Sequence, residues 1–110
     1  MKNHTKVYLD YFGFDEGDFI PCEISGVPAV DISHNIPRGM GGRPKNSGDT
    51  PDNLMALSRK WHDFLERNPQ SYWWFHLVHC QYMVTKKPYH QTVASIDDPF
   101  FKEITENLLR

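Results

Sequence analysis

The chain of 110 residues has only two cysteines, Cys22 and Cys80, which are too few for a disulfide framework. It has no apolar run of about 18 residues or more, the length that a membrane-spanning helix needs. Its first residues, MKNHTKVYLDYF, lack the apolar stretch of a secretory signal. These absences argue against a disulfide-rich secreted protein and against a membrane partner. We therefore expect a cytoplasmic protein, where a reducing environment suits both thiols.

An overall excess of basic charge is also missing, since the formal net charge is −2. The charge is distributed unevenly, however. Residues 1–31 carry two basic and six acidic side chains, whereas residues 32–60 carry five basic and two acidic ones. A basic middle beside an acidic flank favours an anionic partner, although a solvated loop would be charged in the same way. The five basic side chains are Arg38, Arg43, Lys45, Arg59 and Lys60.

The middle of the chain predicts a strand, a long loop, a second strand and a helix. Val30 and Ile32 favour a strand within residues 28–36, and NLMAL predicts another at residues 53–57. The intervening PRGMGGRPKNSGDTPD is dense in glycine and proline, which indicates a loop. The apolar spacing of SRKWHDFLER predicts a helix over residues 58–67, with Trp61, Phe64 and Leu65 facing inward.

Helices are expected on both sides of this unit. Residues 5–12 have the spacing of a short helix, and Asn68 followed by Pro69 predicts the start of another that continues to about Val84. The latter is apolar nearly all round, as in a buried helix or one that meets a partner. KKPYHQTVAS indicates a loop or an edge strand, and a last helix opens at Asp98 and Pro99. The predicted fold class is α+β: one domain with a β-β-α core at about residues 20–67 and a helical extension at about 68–110.

Three polar residues of this core match the needs of phosphodiester hydrolysis. A general base must activate water, and a metal ion must neutralise charge on the phosphate and its leaving oxygen. A neutral histidine suits the first task, and histidine, carboxylate or amide side chains suit the second. His34 lies in the first strand, Asn53 follows 19 residues later, and His62 lies nine residues further along, in the helix.

The order and spacing of DISHNIPRGMGG and NLMALSRKWH resemble the HNH endonuclease family, whose fold is the ββα-metal unit. The resemblance covers about residues 20–67. It implies that His34 is the general base, that Asn53 ties the loop and strand together beneath it, and that His62 is a metal ligand. The implied activity is metal-dependent endonucleolytic cleavage of nucleic acid, with DNA as the favoured substrate. The five basic side chains named above would contact its phosphates.

The chain departs from the family at the first metal ligand. Many members have Asp or His directly before the base, whereas this chain has Ser33. Asp31, two residues earlier on the same face of an extended strand, could substitute for that ligand or could simply stabilise a turn. Glu66, one helical turn after His62, is placed like a further ligand, although a solvated helix residue is the favoured interpretation. Such an oxygen-rich set suits Mg²⁺ or Mn²⁺ better than Zn²⁺.

A second departure concerns structural zinc. Zinc-ribbon members of the family have four cysteines at positions that read Cys22, Ser25, Ser58 and Trp61 in this chain. A structural zinc site needs four nitrogen or sulfur ligands, so no structural zinc is expected.

Three alternatives stay open from the sequence. The loss of a ligand at Ser33 could leave a catalytically inactive HNH-like domain that binds nucleic acid or a protein partner. A non-nuclease zinc-binding fold is the least favoured function. His76, His79 and Cys80 have a helical spacing that could bind metal, but core packing is the favoured interpretation because their helix is so apolar.

Overall fold

The computed structural model describes residues 3–35 and 49–108 and shows a mostly helical α+β fold. Within these residues there are five α-helices and one antiparallel sheet of two strands. The helices are α1 (Asn3–Phe12), α2 (Arg59–Arg67), α3 (Tyr72–Thr85), α4 (Val93–Ile96) and α5 (Pro99–Glu103). The strands are β1 (Asp31–His34) and β2 (Leu54–Leu57), and short 3₁₀ turns cover Pro51–Asn53, Pro69–Ser71 and Tyr89–Gln91.

The two predicted strands and the helix after them are confirmed in that order, while residues 37–48 of the loop predicted between the strands lie outside the described residues. In the antiparallel register Asp31 lies opposite Leu57, and His34 lies opposite Leu54. Each strand is only four residues long, and β2 begins one residue later than predicted because Asn53 closes a 3₁₀ turn. The helix α2 follows β2 almost directly, with Ser58 between them.

The two faces of the sheet pack on different helices. Side chains alternate between the faces of a strand, so Met55 and Leu57 point to one side, and Leu54 and Ala56 to the other. Met55 and Leu57 belong to a core cluster with buried residues of α2 and α3. Leu54 and Ala56 belong to a second cluster with Ile32 and with buried residues of α1. Because both faces are covered, β2 is apolar at all four positions and fully buried.

The buried side of α2 was predicted correctly. Trp61, Phe64 and Leu65 are each about 5–6% exposed and lie at the spacing of one helical face. The helix ends at Arg67, before the Asn68–Pro69 pair, where the proline disfavours helical backbone in the residue that precedes it.

The apolar helix predicted after Asn68 and Pro69 is buried on one side only, and the alternative that its exposed part meets a partner stays a prediction. The first three residues form a 3₁₀ turn, and α3 then buries Trp74, Phe75 and Val78 on one side. Trp73 is 50% exposed and Leu77 is 60% exposed on the other side. The reason is that neighbouring elements cover only part of the surface of α3, so an apolar residue in this helix is not necessarily buried.

The segment KKPYHQTVAS does not form an edge strand. It consists of a loop, a 3₁₀ turn and the short helix α4. Its backbone is nevertheless tied to the turn after Cys22, because the N–H groups of Tyr89 and His90 donate to the carbonyl oxygens of Glu23 and Ile24 at 2.8 and 3.0 Å.

A fully buried polar network lies between α1, the sheet and α3. The His79 ring donates through Nδ1 to Glu23 Oε1 and through Nε2 to the carbonyl oxygen of Pro51, both at 2.6 Å. Oε2 of Glu23 accepts from the Tyr8 hydroxyl at 2.7 Å and from the Ala56 N–H at 3.1 Å. Both ring nitrogens of His79 face groups that only accept, so both must carry protons and the ring is an imidazolium.

The surroundings of this network support that protonation state. Burial by itself lowers the pKa of His79, but its hydrogen bond to Glu23 and the charge of that carboxylate outweigh the burial, so the pKa lies above its usual value of 6.5. The network holds α3 against the 3₁₀ turn that leads to Asn53. His79 is thus a buried residue with both ring nitrogens bonded, as predicted, whereas Cys80 is exposed and the core interpretation was wrong for it.

None of the helices in residues 3–35 and 49–108 combines the length and the apolar character needed to cross a membrane.

Candidate active site

One part of the candidate site lies on the face of the sheet that packs on α2. His62, in the first half of α2, places Nε2 at 3.7 Å from Oδ2 of Asp31 and at 3.4 Å from Oε1 of Glu66. The second oxygen of Asp31 accepts the backbone N–H of Ile32 at 2.9 Å, which orients the carboxylate. The structure therefore brings together the two residues expected to bind metal, and it adds Glu66 to them.

The chemistry of this donor set is compatible with a divalent ion. Nitrogen and oxygen ligands lie about 2.0–2.2 Å from Mg²⁺ or Zn²⁺, so neighbouring ligands of one ion are about 3.0–3.4 Å apart. The separations of 3.4 and 3.7 Å around His62 Nε2 are close to that range. Ligand atoms of His62, Asp63 and Glu66 also lie within 4.8 Å of one another. One imidazole with several carboxylates is a set for Mg²⁺ or Mn²⁺.

The other ring nitrogen of His62 lacks the support that metal ligands usually have. Nδ1 is buried and makes no hydrogen bond to the described part of the chain. A ligating histidine commonly donates this N–H to a carbonyl or carboxylate oxygen, which raises the basicity of the ligating nitrogen. His62 therefore matches the expected ligand by position and by its neighbours, but a strong, preorganised site is not built around it.

The second part of the candidate site surrounds His34 at the end of β1. Its Nε2 lies 2.6 Å from Oδ1 of Asp49, and both side chains are largely buried, at 14% and 5% exposed. A carboxylate only accepts, so Nε2 carries the proton and donates to Asp49. In the neutral form of such a ring, the basic nitrogen is Nδ1. A carboxylate that selects the tautomer and holds the ring is a recurring support for a catalytic histidine.

Two neighbours of His34 were not predicted from the sequence. One is Asp49, which also lies 3.4 Å from the side-chain nitrogen of Asn3. The other is His4 of α1, which is 7% exposed and places its ring centroid 4.8 Å from that of His34. The sequence did contain a signal for His4, because it lies one helical turn before the buried Tyr8 and so on the inner face of α1.

The two parts of the site lie on opposite faces of the sheet. Asp31 and His34 are three residues apart in β1, so their side chains leave opposite sides of the strand, and their Cα atoms are about 10 Å apart. The sheet has only two strands, so a phosphate group can reach both side chains only around the outer edge or the end of β1. Their odd spacing within one strand accounts for this separation.

Asn53 and Ser33 also have defined places. Asn53 is 3% exposed, and its backbone joins the loop to the sheet, since its carbonyl oxygen accepts from Asn35 N–H at 2.9 Å and its N–H donates to Thr50 at 2.9 Å. Ser33 is 8% exposed and shares the α2 face with Asp31. Within the described residues its hydroxyl makes one long contact, 3.5 Å, with the carbonyl oxygen of His34.

The predicted phosphate contacts are described only in part. Arg59 and Lys60 are exposed in the first turn of α2 and border a cavity of about 540 Å³. Arg59 has a loose ion pair with Asp63 at 3.8 Å. The other three, Arg38, Arg43 and Lys45, lie outside the residues that the structure describes.

Comparison of the chain with known protein families, with curated proteins and with solved structures finds no match.

Proposed function

We propose that this protein is a metal-dependent endonuclease of the ββα-metal type, which hydrolyses phosphodiester bonds in nucleic acid, with DNA as the expected substrate. The proposal is carried by one observation: His62 meets two carboxylates beside a β-β-α unit whose other end holds His34 against Asp49. Candidates for both groups that phosphodiester hydrolysis needs, a base and a set of metal ligands, thus lie in one small unit, which supports the proposal.

His34 is the proposed general base. Asp49 keeps the proton on Nε2, so Nδ1 is the nitrogen that takes the proton from the attacking water. As that proton arrives, the ring becomes positively charged beside the Asp49 carboxylate, which stabilises the imidazolium. His4 narrows the space on one side of the ring and thereby restricts its rotation.

His62, Asp31 and Glu66 would hold the metal, which when bound supplies charge stabilisation at the phosphate and its leaving oxygen. The residues present explain why binding should be weak. Glu66 is 65% exposed, Asp31 is 39% exposed, and Nδ1 of His62 has no bonded partner among the described residues. We expect metal affinity to limit activity at low Mg²⁺ or Mn²⁺ concentration.

The test is incubation of purified protein with plasmid, single-stranded DNA and RNA in the presence of Mg²⁺, Mn²⁺, Ni²⁺ or Zn²⁺, with a chelator control. We expect chelator-sensitive cleavage by the wild type. His62→Ala should lose activity by about 10-fold or more and recover part of it at high metal concentration, because it weakens metal binding rather than the base. His76→Ala, a histidine of α3 outside both parts of the site, is the matched control and should cleave normally.

A second candidate function is favoured by the position of Ser33. Its hydroxyl lies on the α2 face, where the family resemblance places a metal ligand, yet its only described contact is with its own neighbour. If Ser33 leaves the metal site without a ligand, the domain would bind nucleic acid without cutting it. Nucleic-acid binding by a wild-type protein that cleaves no substrate with any of the four metals would establish this function and overturn the nuclease.

A further inference from the structure

The cavity at the start of α2 has the features of a binding site for a small ligand. Its volume of about 540 Å³ lies in the range of about 300–1,000 Å³ that ligand sites usually have. Its walls are mostly apolar and include Val27, Pro28, Val30 and Trp61. It is therefore large enough and apolar enough to bury a planar aromatic group.

Two hydroxyl groups border this cavity without hydrogen-bond partners among the described residues. Ser58 is 7% exposed and precedes α2 as its N-cap, yet its side chain makes no capping hydrogen bond. Oγ of Ser25, on the facing turn, is buried and also makes none. Buried hydroxyls are normally bonded, so the unpaired Ser25 oxygen, together with a Ser58 side chain that makes no capping bond, is suited to receive a polar group of a ligand.

The same end of the cavity attracts negative charge. The first backbone N–H groups of α2 have no partner within the helix, and the helix dipole favours an anion at this end. Arg59 and Lys60 extend from the first turn and border the cavity. No carboxylate of the described chain lies within 4.0 Å of the Lys60 amine, and the ion pair of Arg59 is long at 3.8 Å.

An apolar chamber with an anion-binding rim matches the chemistry of a nucleotide. The base would enter the chamber, and the phosphate would lie at Ser58 and the first turn of α2. Two residues that line the cavity, Val30 and Trp61, are the chain neighbours of the candidate metal ligands Asp31 and His62, which do not line it themselves.

We propose that this cavity binds one nucleotide of the substrate strand, with its base unstacked and its phosphate on Ser58, Lys60 and the start of α2. This inference rests on the proposed function, because it takes the ligand to be part of the nucleic acid that the protein cleaves. Base extrusion of this kind costs least in single-stranded substrate, so single strands should bind better than duplex at this site.

The test uses the full chain labelled with ¹⁵N, in chelator, titrated with nucleoside monophosphates, with the matching nucleosides and with inorganic phosphate. We expect the monophosphates to shift the amide signals of Ser25, Ser58 and Trp61, and to bind more tightly than either part alone. Because cleavage is absent in chelator, the titration reports the cavity independently of catalysis.

Three variants locate the binding. Ser58→Ala should weaken monophosphate binding about 10-fold, and since no capping bond is lost the helix should remain intact. Lys60→Met should weaken it about 3- to 5-fold. Val27→Trp places a large side chain at the cavity from a half-exposed turn position, and it should abolish binding without touching the candidate catalytic residues.

Matched controls are Ser95→Ala, another buried serine outside the cavity, and Lys87→Met, an exposed lysine outside it. Neither should change monophosphate affinity. A single-stranded oligonucleotide should compete with the monophosphate for binding to the wild type but not to Val27→Trp. This result would show that the cavity binds one nucleotide of a strand.

The outcomes separate the two proposals. If inorganic phosphate binds as tightly as the monophosphates, the cavity does not bind a base and the inference is overturned. Monophosphate affinities that Ser58→Ala and Val27→Trp leave unchanged would overturn it as well. In both cases cleavage by the wild type would leave the proposed function standing. Monophosphate binding at the cavity in a protein that cleaves nothing would support the nucleotide site and overturn the nuclease.

Discussion

Replacement of either partner in the buried Glu23–His79 pair should destabilise the protein, and the two replacements should differ in size. His79→Ala leaves the Glu23 carboxylate at 0% exposure with no opposite charge beside it. Removal of one partner of a buried ion pair costs about 3–5 kcal/mol. A domain of this size has a total stability of about 5–15 kcal/mol, so this variant should be close to unfolding.

Glu23→Gln should cost much less, about 1–2 kcal/mol. The Gln oxygen can keep the two hydrogen bonds from Tyr8 and Ala56, while its NH₂ group donates to Nδ1 of a neutral His79. The ring then keeps its Nε2–H bond to Pro51. Every buried polar group therefore retains a partner, and only the charge is lost.

The pair also predicts how stability depends on pH. Burial lowers the pKa of His79, but Glu23 raises it more, so the pKa is raised in the folded protein. The stability that the charged ring contributes is therefore fully present below about pH 6.5 and is lost as the pH rises through the raised pKa. Asp52 adds to the shift in the same direction. In Glu23→Gln the ring is neutral and this loss on the alkaline side should disappear.

Urea unfolding followed by circular dichroism measures these differences, with wild type and variants compared at about pH 6 and about pH 9. His76→Ala is the control, because this partly buried histidine of α3 has no charged partner in the described chain. Equal losses for His79→Ala and Glu23→Gln would refute the imidazolium assignment. A Glu23→Gln protein that loses as much stability at alkaline pH as the wild type would refute it as well.

Three other outcomes follow from the contacts. Asp49→Asn should slow cleavage about 10- to 100-fold with nucleic-acid binding retained, since it removes the carboxylate that holds His34; unchanged cleavage would contradict this role. Asp98→Ala should cost about 2 kcal/mol in urea unfolding, because Asp98 caps α5 and accepts from Trp74 Nε1–H at 2.8 Å. Burial raises the pKa of Asp98, but its hydrogen bonds lower it more, so the pKa lies below its usual value. The stability that Asp98 contributes is therefore present above about pH 3.8 and is lost as the pH falls further. A wild type that loses no more stability in acid than Asp98→Ala would contradict this pH dependence. Metal analysis should find no tightly bound zinc, and Cys22→Ser should not change the metal content; stoichiometric zinc lost in that variant would show that the ribbon positions were misassigned.

The β-β-α order was predictable because each element has a strong local signal. LMAL is a short apolar run between turn residues, and RKWHDFLER has the spacing of a helix with one buried face. The same local logic left α3 open between a buried helix and one that meets a partner. Periodicity and composition show that side chains are apolar, but they do not show whether a neighbour covers them, and in the structure Trp73 and Leu77 are exposed.

The candidate site was predictable where its residues lie in those elements and not elsewhere. The pairing of Asp31 with His62 follows from a strand and the helix that packs on it. Asp49 and His4 come from a loop and from the N-terminal helix, and only the packing of α1 on the sheet brings His4 to His34. The placement of Asp31 and His34 on opposite faces follows from their odd spacing within β1, whereas the helices that cover each face are known only from the structure.

The most direct test of the proposed mechanism is the single-turnover cleavage rate of His34→Ala at saturating metal, measured with nucleic-acid affinity on the same preparation. Removal of a general base costs about 10²–10⁴ in rate. We expect a loss in that range with unchanged affinity and a folded protein, while His76→Ala cleaves like the wild type. Cleavage by His34→Ala at the wild-type rate would contradict the assignment of the base, and a wild type that cleaves nothing with any divalent metal would contradict the nuclease itself.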